Sequence, residues 1–183
     1  MEMLVALAIF STVVTITTDI FFSYQRTQRK TEELQKVVST ARFVSEAIVR
    51  EVKEGTIDYG YTNYVRSGDA LSNPQTVLAL KDAEGRQVIF SQSGQNGCPE
   101  GSDPCIILTR DSGSESITPR GVRVNSLQFY ISPAQDPYSF DIGRGAFMSN
   151  AQPRVTVFMS LMDSERRTQY DLQTTVVSRA YKR

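Results

Sequence analysis

The sequence contains no histidine and no tryptophan, and its 183 residues include only two cysteines. Histidine is the side chain most used for proton transfer near neutral pH and the commonest metal ligand, so its absence argues against many classes of enzyme. The chain also lacks an excess of charge of either sign, since 20 basic residues balance 20 acidic ones. Without a strong positive field, nucleic acid is a poor candidate for a partner. We therefore expect neither catalysis nor nucleic-acid binding.

The two cysteines, Cys98 and Cys105, flank a short segment rich in glycine and proline. A metal site would need further soft ligands, and the chain has no other cysteine and no histidine to supply them. A disulfide needs nothing more, and it indicates an oxidising compartment outside the cytoplasm; two free surface thiols are the alternative. Closing so short a loop would stabilise the fold by about 2 kcal/mol.

Proline and glycine are both missing from Met1 to Glu54, so nothing in this stretch interrupts a helix. A continuous helix of about 50 residues would be about 80 Å long. From Met3 to Tyr24 the only charged residue is Asp19, and about 20 helical residues are enough to cross the core of a bilayer. The hydroxyl groups between Ser11 and Thr18 can bond back to the helix backbone. This pattern predicts a membrane-spanning helix.

Two other interpretations of the apolar run are the buried helix of a soluble fold and a secretory signal peptide. Nothing downstream looks large enough to surround the helix on every side. A signal peptide has a basic region before the run and a small-residue cleavage site after it, and neither pattern is visible in these residues. Instead, an aromatic edge typical of a membrane interface is followed at once by basic residues. The aromatic residues are Phe21, Phe22 and Tyr24, and the basic ones are Arg26, Arg29 and Lys30.

The second half of the predicted helix is amphipathic. Its apolar residues recur at steps of three and four, which is the spacing of one helix face. Gly55 is the first signal that ends the helix. The chain therefore divides into a transmembrane and assembly helix over 1–25, its amphipathic continuation over 26–55 and a β-rich head over 56–183. The apolar stripe consists of Leu34, Val37, Val38, Ala41, Val44, Ala47, Ile48 and Val52.

Beyond Gly55 the sequence changes to short strands separated by turns. Turns are expected at Asp82–Gly85 and Asp111–Ser114, whose residues accept tight-turn dihedral angles. Alternate residues of Arg154–Met162 are apolar, so one face can contact the helix, and a polar connection leads into a C-terminal hairpin. The predicted fold class is α+β, a long N-terminal helical spine packed on an antiparallel β-sheet head. Strands are predicted at Ile57–Val65, Thr76–Leu80, Gln87–Ser91, Cys105–Thr109, Val122–Ile131, Arg154–Met162 and Gln169–Ser178.

The opening from Glu2 to Phe10 resembles the start of type IV pilins and of the pseudopilins of type II secretion. Mature chains of that family begin with phenylalanine, threonine, leucine and an aliphatic residue, followed by a glutamate and an apolar run. If Glu2 corresponds to that glutamate, Met1 is the aliphatic position, and three mature residues and a basic leader ending in glycine would precede it. The segments Gln152–Val157 and Leu172–Val176 are similar to the minor pseudopilin of the J type and to minor pilins.

The resemblance implies a pilin-like, single-pass protein of the inner cell membrane whose head lies in the periplasm or outside the cell. Its partners would be the lipid bilayer, an inner-membrane assembly platform and other pilin or pseudopilin subunits, contacted through the N-terminal helix. It also implies prepilin-type N-terminal methylation, and no cofactor is expected. Related pseudopilins can hold calcium, for which Glu100 with Asp103, or Asp136 with Asp141, are candidate ligands whose spacing matches no known loop.

The resemblance further implies an assembly role for Glu2. An ionised carboxylate near the end of an apolar helix is unfavourable in hydrocarbon unless it is paired. In the family its partner is the N-terminal ammonium group of a neighbouring subunit, and this pair would fix the axial register between helices. The alternative is a glutamate that only favours a helix N-terminus. Two features depart from the family: Asp19 lies where many members have proline, and Arg26, Arg29 and Lys30 on the head side oppose the positive-inside rule.

The function expected from these residues is structural. The first hypothesis is a minor pilin or pseudopilin, a subunit of a type IV pilus or type II secretion pseudopilus, acting in assembly initiation or at the tip. The second is a single-pass anchored protein whose head binds an extracellular ligand through Tyr59, Tyr61 and Tyr64, although such tyrosines more often pack on a sheet. An enzyme comes third, since the sequence has no nucleophile elbow, phosphate-binding glycine loop or paired metal motif.

Overall fold

The long N-terminal helix is a single uninterrupted element. The computed structural model describes residues 2–94, 98, 104–111, 113–141, 143, 145–148, 151–165 and 167–179. Within it, α1 spans Glu2–Glu54, a length of 53 residues. Proline and glycine are the residues that most destabilise a helix interior, and this stretch has neither. Asp19 lies in regular helix.

The head that follows α1 is built from antiparallel strands, so the fold is α+β with a long helix packed on an antiparallel sheet, as predicted. Helix and strands come in separate runs along the chain, which is the order expected of this class. In the described part of the chain the strands are β1 Thr56–Ile57, β2 Arg66–Ser67, β3 Ala70–Leu71, β4 Val77–Lys81, β5 Gln87–Gln92, β6 Ile106–Arg110, β7 Gly113–Ser116, β8 Val122–Ser132, β9 Phe140–Asp141, β10 Ala146–Phe147, β11 Arg154–Asp163 and β12 Gln169–Val177.

Two sheets make up most of the head. One has the strand order β1-β4-β5-β6-β7 and the other the order β12-β11-β8, while β2 with β3 and β9 with β10 form small two-stranded ribbons. α1 contacts β12, β11 and β8, so the three-stranded sheet carries the spine. The predicted C-terminal hairpin is confirmed, because Arg154 pairs with Val177 and Met162 pairs with Gln169.

Gln75 joins the two sheets. Its backbone N–H and C=O both pair with Phe129 of β8, at 2.8 Å each. Its buried side-chain amide donates to the carbonyl oxygens of Val65 and Ser72 and accepts from the Val65 N–H. Because these polar groups have partners, burying the amide leaves no unsatisfied donor or acceptor on it. Gln75 therefore holds the segment before β4 against the edge of β8.

One hydrophobic core joins the second half of α1, the three-stranded sheet and the five-stranded sheet, which contributes Leu78, Phe90 and Ile106. The alternate residues of β11 that were predicted to face the helix, from Val155 to Leu161, are fully buried. The predicted helical stripe differs in two places: its first member, Leu34, is exposed, and Thr40, which was not predicted to belong to it, is buried. The Thr40 Oγ1 donates to the Lys36 carbonyl oxygen (2.8 Å). The buried residues of α1 are Val37, Thr40, Ala41, Val44, Ile48 and Val52.

The prediction of a strand over Ile57–Val65 is wrong beyond its first residue, since β1 ends at Ile57. The Asp58 carboxylate accepts a hydrogen bond from the Gly60 N–H (3.2 Å), and the Asp58 carbonyl oxygen accepts one from the Tyr61 N–H (3.1 Å). Local bonds of this kind compete with strand pairing. The other predicted strands correspond to β4, β5, β6, β8, β11 and β12. Strands of two to four residues, such as β2, β3, β7, β9 and β10, are too short to show alternation and were not predicted.

Both predicted turns connect strands. Gly85, with φ of 82°, donates its N–H to the Asp82 carbonyl oxygen (3.0 Å) between β4 and β5. The second turn connects β6 with β7, where Arg110 pairs with Gly113; Ser112 lies outside the described residues. Glycine accepts the left-handed backbone that the first of these turns requires.

α1 ends at Glu54, and the next residue, Gly55, lies where two backbones approach closely. The Gly55 N–H donates to the Glu51 carbonyl oxygen (2.8 Å), and the Ser178 hydroxyl donates to the Gly55 carbonyl oxygen (2.9 Å). A Cβ atom added at Gly55 would lie 2.8 Å from the carbonyl oxygen of Lys81 and 2.9 Å from that of Glu51. Glycine is thus required by the approach of two backbones. This junction ties the end of the spine to the head.

Candidate membrane and assembly helix

The first half of α1 is uncovered. Every residue from Glu2 to Glu32 is exposed, and none of its most apolar 18-residue stretch is buried by the rest of the chain. α1 is one helix that is long and apolar enough to span a membrane. The alternative of a helix enclosed by its own fold does not hold for this structure. The large apolar side chains left exposed include Met3, Leu4, Val5, Leu7, Ile9, Phe10, Val13, Val14, Ile16 and Ile20.

Threonine hydroxyls in the uncovered half are satisfied by the helix itself. Thr12 and Thr15 donate to the carbonyl oxygens of Ala8 and Ser11 at 2.9 Å. Thr17 and Thr18 donate to those of Val13 and Val14 at 2.8 Å. A hydroxyl bonded in this way does not present an unpaired donor to hydrocarbon. These threonines are therefore compatible with a membrane-spanning segment, as predicted.

An aromatic belt follows the apolar stretch. Phe21, Phe22 and Tyr24 are each more than half exposed, at 54%, 55% and 59%. The rings of Phe21 and Phe22 meet edge to face with centroids 6.1 Å apart, and Gln28 Nε2 donates to the Tyr24 hydroxyl oxygen (2.6 Å). Exposed aromatic side chains at one end of an apolar helix are typical of a membrane–water interface.

One side of the uncovered half is more polar than the others. From Val37, which is buried under the head, steps of three and four residues lead back through Glu33, Lys30, Arg26, Ser23, Asp19, Thr15 and Thr12. Positions spaced in this way share one side of a helix. The side of α1 that contacts the head in the second half of the helix is thus also the least apolar side of the first half. This row was not predicted, although its spacing is visible in the sequence.

Glu2 lies in the first turn of α1, at the end of the helix opposite to the head, and is exposed. About 26 Å of helix separates it from Asp19, the next acidic residue. An acidic side chain in the first turn of a helix interacts favourably with the helix dipole. The assembly role predicted for Glu2 involves a second chain and stays a prediction.

The predicted disulfide between Cys98 and Cys105 is formed, with the Cα atoms 5.8 Å apart. Cys105 is buried just before β6, where its N–H donates to the Ser93 hydroxyl oxygen and its carbonyl oxygen accepts from the Ser93 N–H, both at 2.8 Å. The bond thus closes the connection between β5 and β6. The disulfide belongs to the head, whereas Glu2 lies at the opposite end of α1.

The three tyrosines of the ligand-binding hypothesis pack into the head. The Tyr59 hydroxyl donates to the Pro133 carbonyl oxygen (3.1 Å), and Tyr59 is only 7% exposed. The Tyr64 hydroxyl donates to the Ala79 carbonyl oxygen and accepts from the Ala79 N–H. Burial raises the pKa of both hydroxyls above the ordinary value. Tyr61 stacks edge to face on Tyr64 at 5.4 Å, so these rings serve the core.

The candidate calcium ligands do not form a described site. Glu100, Asp103 and the side chain of Asp141 lie outside the described residues. The Asp136 carboxylate accepts the Tyr138 N–H (2.9 Å) and so stabilises a turn. In the parts of the chain that the structure describes, no group of three or more acidic or cysteine side chains is placed to hold a metal ion.

Two apolar patches on the head were not predicted. Phe43, 57% exposed on α1, lines a surface groove of 590 Å³ together with Ile117 and Pro119. Phe140 and Phe147, on the ribbon β9–β10, are 53% and 60% exposed and stack edge to face at 5.5 Å. Isolated exposed apolar residues are common on protein surfaces, so these patches alone assign no partner.

Comparison with models of protein families, with curated proteins and with solved structures finds no significant match to this chain. Function must therefore be inferred from the physical features of the chain itself. The most informative of these features is the contrast between the uncovered and the covered half of α1.

Proposed function

We propose that this chain is a minor pilin or pseudopilin, a structural subunit of a type IV pilus or of a type II secretion pseudopilus. The observation that carries the proposal is the division of α1 into an apolar half that the chain leaves exposed and a half packed on the head. An apolar helix of this length needs lipid or other protein chains around it. Lipid covers it before assembly, and the helices of other subunits cover it in the filament.

The length of the apolar segment suits a bilayer. Met3–Tyr24 has Asp19 as its one charged residue and spans about 33 Å at 1.5 Å per residue, close to the hydrocarbon core of about 30 Å. This length serves a plain anchor and an assembly helix equally well. The resemblance of Glu2–Phe10 to pilins is what favours the assembly helix.

In this function the helix is the assembly element and the head caps or decorates the filament. The chain resides in the inner membrane as a single-pass protein with its head on the periplasmic side, and an assembly platform moves it into the filament. Glu2 pairs with the N-terminal ammonium group of a neighbour and fixes the axial register. A subunit of this kind can prime assembly at the tip.

The first prediction concerns Glu2. Glu2→Ala and Glu2→Lys should leave the head folded and reduce recovery of co-expressed pilin subunits in a pull-down by about five-fold or more, since a lost charge pair in an apolar bundle costs about 1–3 kcal/mol. Glu32→Ala and Glu32→Lys are the matched controls, because Glu32 is an exposed glutamate on the same helix. Normal incorporation of both Glu2 variants would remove the assembly role from this residue.

The alternative, an anchored ligand-binding protein, has less support. Its proposed binding residues Tyr59 and Tyr64 are buried with their hydroxyls bonded to backbone groups. Detergent-solubilised chain that stays monomeric both alone and with co-expressed pilins would nevertheless favour it over a filament subunit. Association with pilins through a chain that retains residues 1–25, and its loss without them, is the result expected of the proposed function.

A further inference from the structure

Three basic residues follow the aromatic belt of α1. Arg26, Arg29 and Lys30 are all exposed. Positions three and four residues apart are neighbours on a helix surface, so Arg29 and Lys30 both lie beside Arg26. These three residues form one positively charged patch, here named the basic collar.

The basic collar has no partner within the described chain. None of its side chains forms an ion pair or hydrogen bond with a residue that the structure describes, and the adjacent Glu32 and Glu33 are not paired with it. The next basic residue of the helix behaves differently, since Lys36 Nζ donates to the Arg120 carbonyl oxygen (2.7 Å). The collar is thus available to an external anion.

The position of the basic collar along the helix indicates which kind of anion it meets. Along the helix, Arg26 lies about 3 Å and Lys30 about 9 Å beyond Tyr24, and Tyr24 belongs to the belt at the membrane interface. The polar layer on each side of a bilayer is about 5–8 Å thick. Glu32 and Glu33 lie about 12–14 Å beyond Tyr24, outside that layer. Arg26 and Arg29 therefore lie at the level of the lipid phosphates and Lys30 at the outer edge of that layer, whereas the two glutamates lie beyond it.

We propose that the basic collar binds the phosphate groups of anionic phospholipids in the leaflet on the head side of the membrane, and so fixes the depth of α1. Anionic headgroups attract basic residues placed beside a transmembrane helix. This binding requires only that α1 spans a bilayer and is independent of filament assembly. It also gives a role to charges that oppose the positive-inside rule, since they hold lipid instead of setting orientation.

The test compares lipid selectivity at the protein surface. The full chain is reconstituted in phosphatidylcholine vesicles that contain a trace of spin-labelled phosphatidylglycerol or spin-labelled phosphatidylcholine, and the motionally restricted fraction of each label is measured. We expect about five-fold stronger association of the phosphatidylglycerol label. High salt should reduce this preference, because it screens exposed charges.

The collar triple variant R26Q/R29Q/K30Q should lose the preference. The matched control is R42Q/R50Q/K53Q, which removes three exposed basic residues from the same helix far above the belt and should retain it. If the collar triple does not insert, the single variants Arg26→Gln and Lys30→Gln should each lower the preference about two-fold. Equal association of both labels with the natural chain would overturn the proposal, and so would the same loss in both triples. A collar that binds acidic groups of a neighbouring subunit instead would show that equal association.

Discussion

The two halves of α1 share one backbone and differ in what covers them. Ile16 in the first half is 60% exposed, whereas Ile48 in the second half is fully buried against the head. Both are isoleucines in the same regular helix, so local conformation does not distinguish them. Helix propensity thus explains why α1 forms, but only the packing around each half explains which half stabilises the folded head. The contrast suggests experiments that treat the halves separately.

Deletion of residues 1–25 is expected to have the largest effect. The shortened chain should move from the membrane fraction to the supernatant, because the apolar segment that enters the bilayer is removed. The unfolding midpoint of the head should stay the same as in the full chain in detergent, since no residue from Glu2 to Glu32 is buried. Fractionation and denaturant unfolding measure the two quantities. A head that fails to fold without these residues would show that the halves are not separate.

The isoleucine pair sharpens the same contrast. Ile48→Ala should lower the free energy of unfolding of the head by about 2–5 kcal/mol, because it leaves a cavity in a close-packed core. Ile16→Ala, its matched control, should change that free energy by less than about 0.5 kcal/mol. Denaturant unfolding of both full-length variants in the same detergent provides the comparison. Equal losses in the two variants would contradict the division of the helix.

A smaller effect is expected where the covered half ends. Gly55→Ala should lower the free energy of unfolding by about 1–3 kcal/mol, because the new Cβ atom meets two carbonyl oxygens closer than 3.0 Å and the junction must shift. Gly60→Ala is the control, since its Cβ atom would come no closer than 3.4 Å to Asp58 Oδ1. Thermal unfolding of the two variants measures the difference in stability. An unchanged Gly55→Ala protein would show that the junction yields without strain.

Local patterns predicted much of the fold. The helix, the alternating strand β11 and the turn at Asp82–Gly85 each depend on a few consecutive residues with a clear periodicity or turn chemistry. The segment Ile57–Val65 was misassigned because its tyrosines favour strands in general, while Asp58 forms local bonds that end the strand. The exposure of Leu34 and the burial of Thr40 depend on where the head begins along the helix, and periodicity alone does not set that position.

The candidate site was predicted unevenly for the same reason. The aromatic belt and the disulfide partners could be named from composition and spacing, because each needs only residues that are close in the sequence. Packing of Tyr59 and Tyr64 on the sheet was only the alternative to ligand binding, since their hydroxyl partners, Pro133 just after β8 and Ala79 in β4, could not be identified from the sequence. The role of Glu2 requires contacts with another chain and stays a prediction.

The sequence by itself determined an unbroken helix whose first half is too apolar to face water, because a stretch free of proline and glycine and almost free of charge leaves few other options. Only the tertiary structure decided that the chain does not cover this half, that burial of the helix by the head begins at Val37, and that Gly55 closes the junction with the strands. These features arise from packing between residues far apart in the sequence, and local periodicity carries no information about such distances.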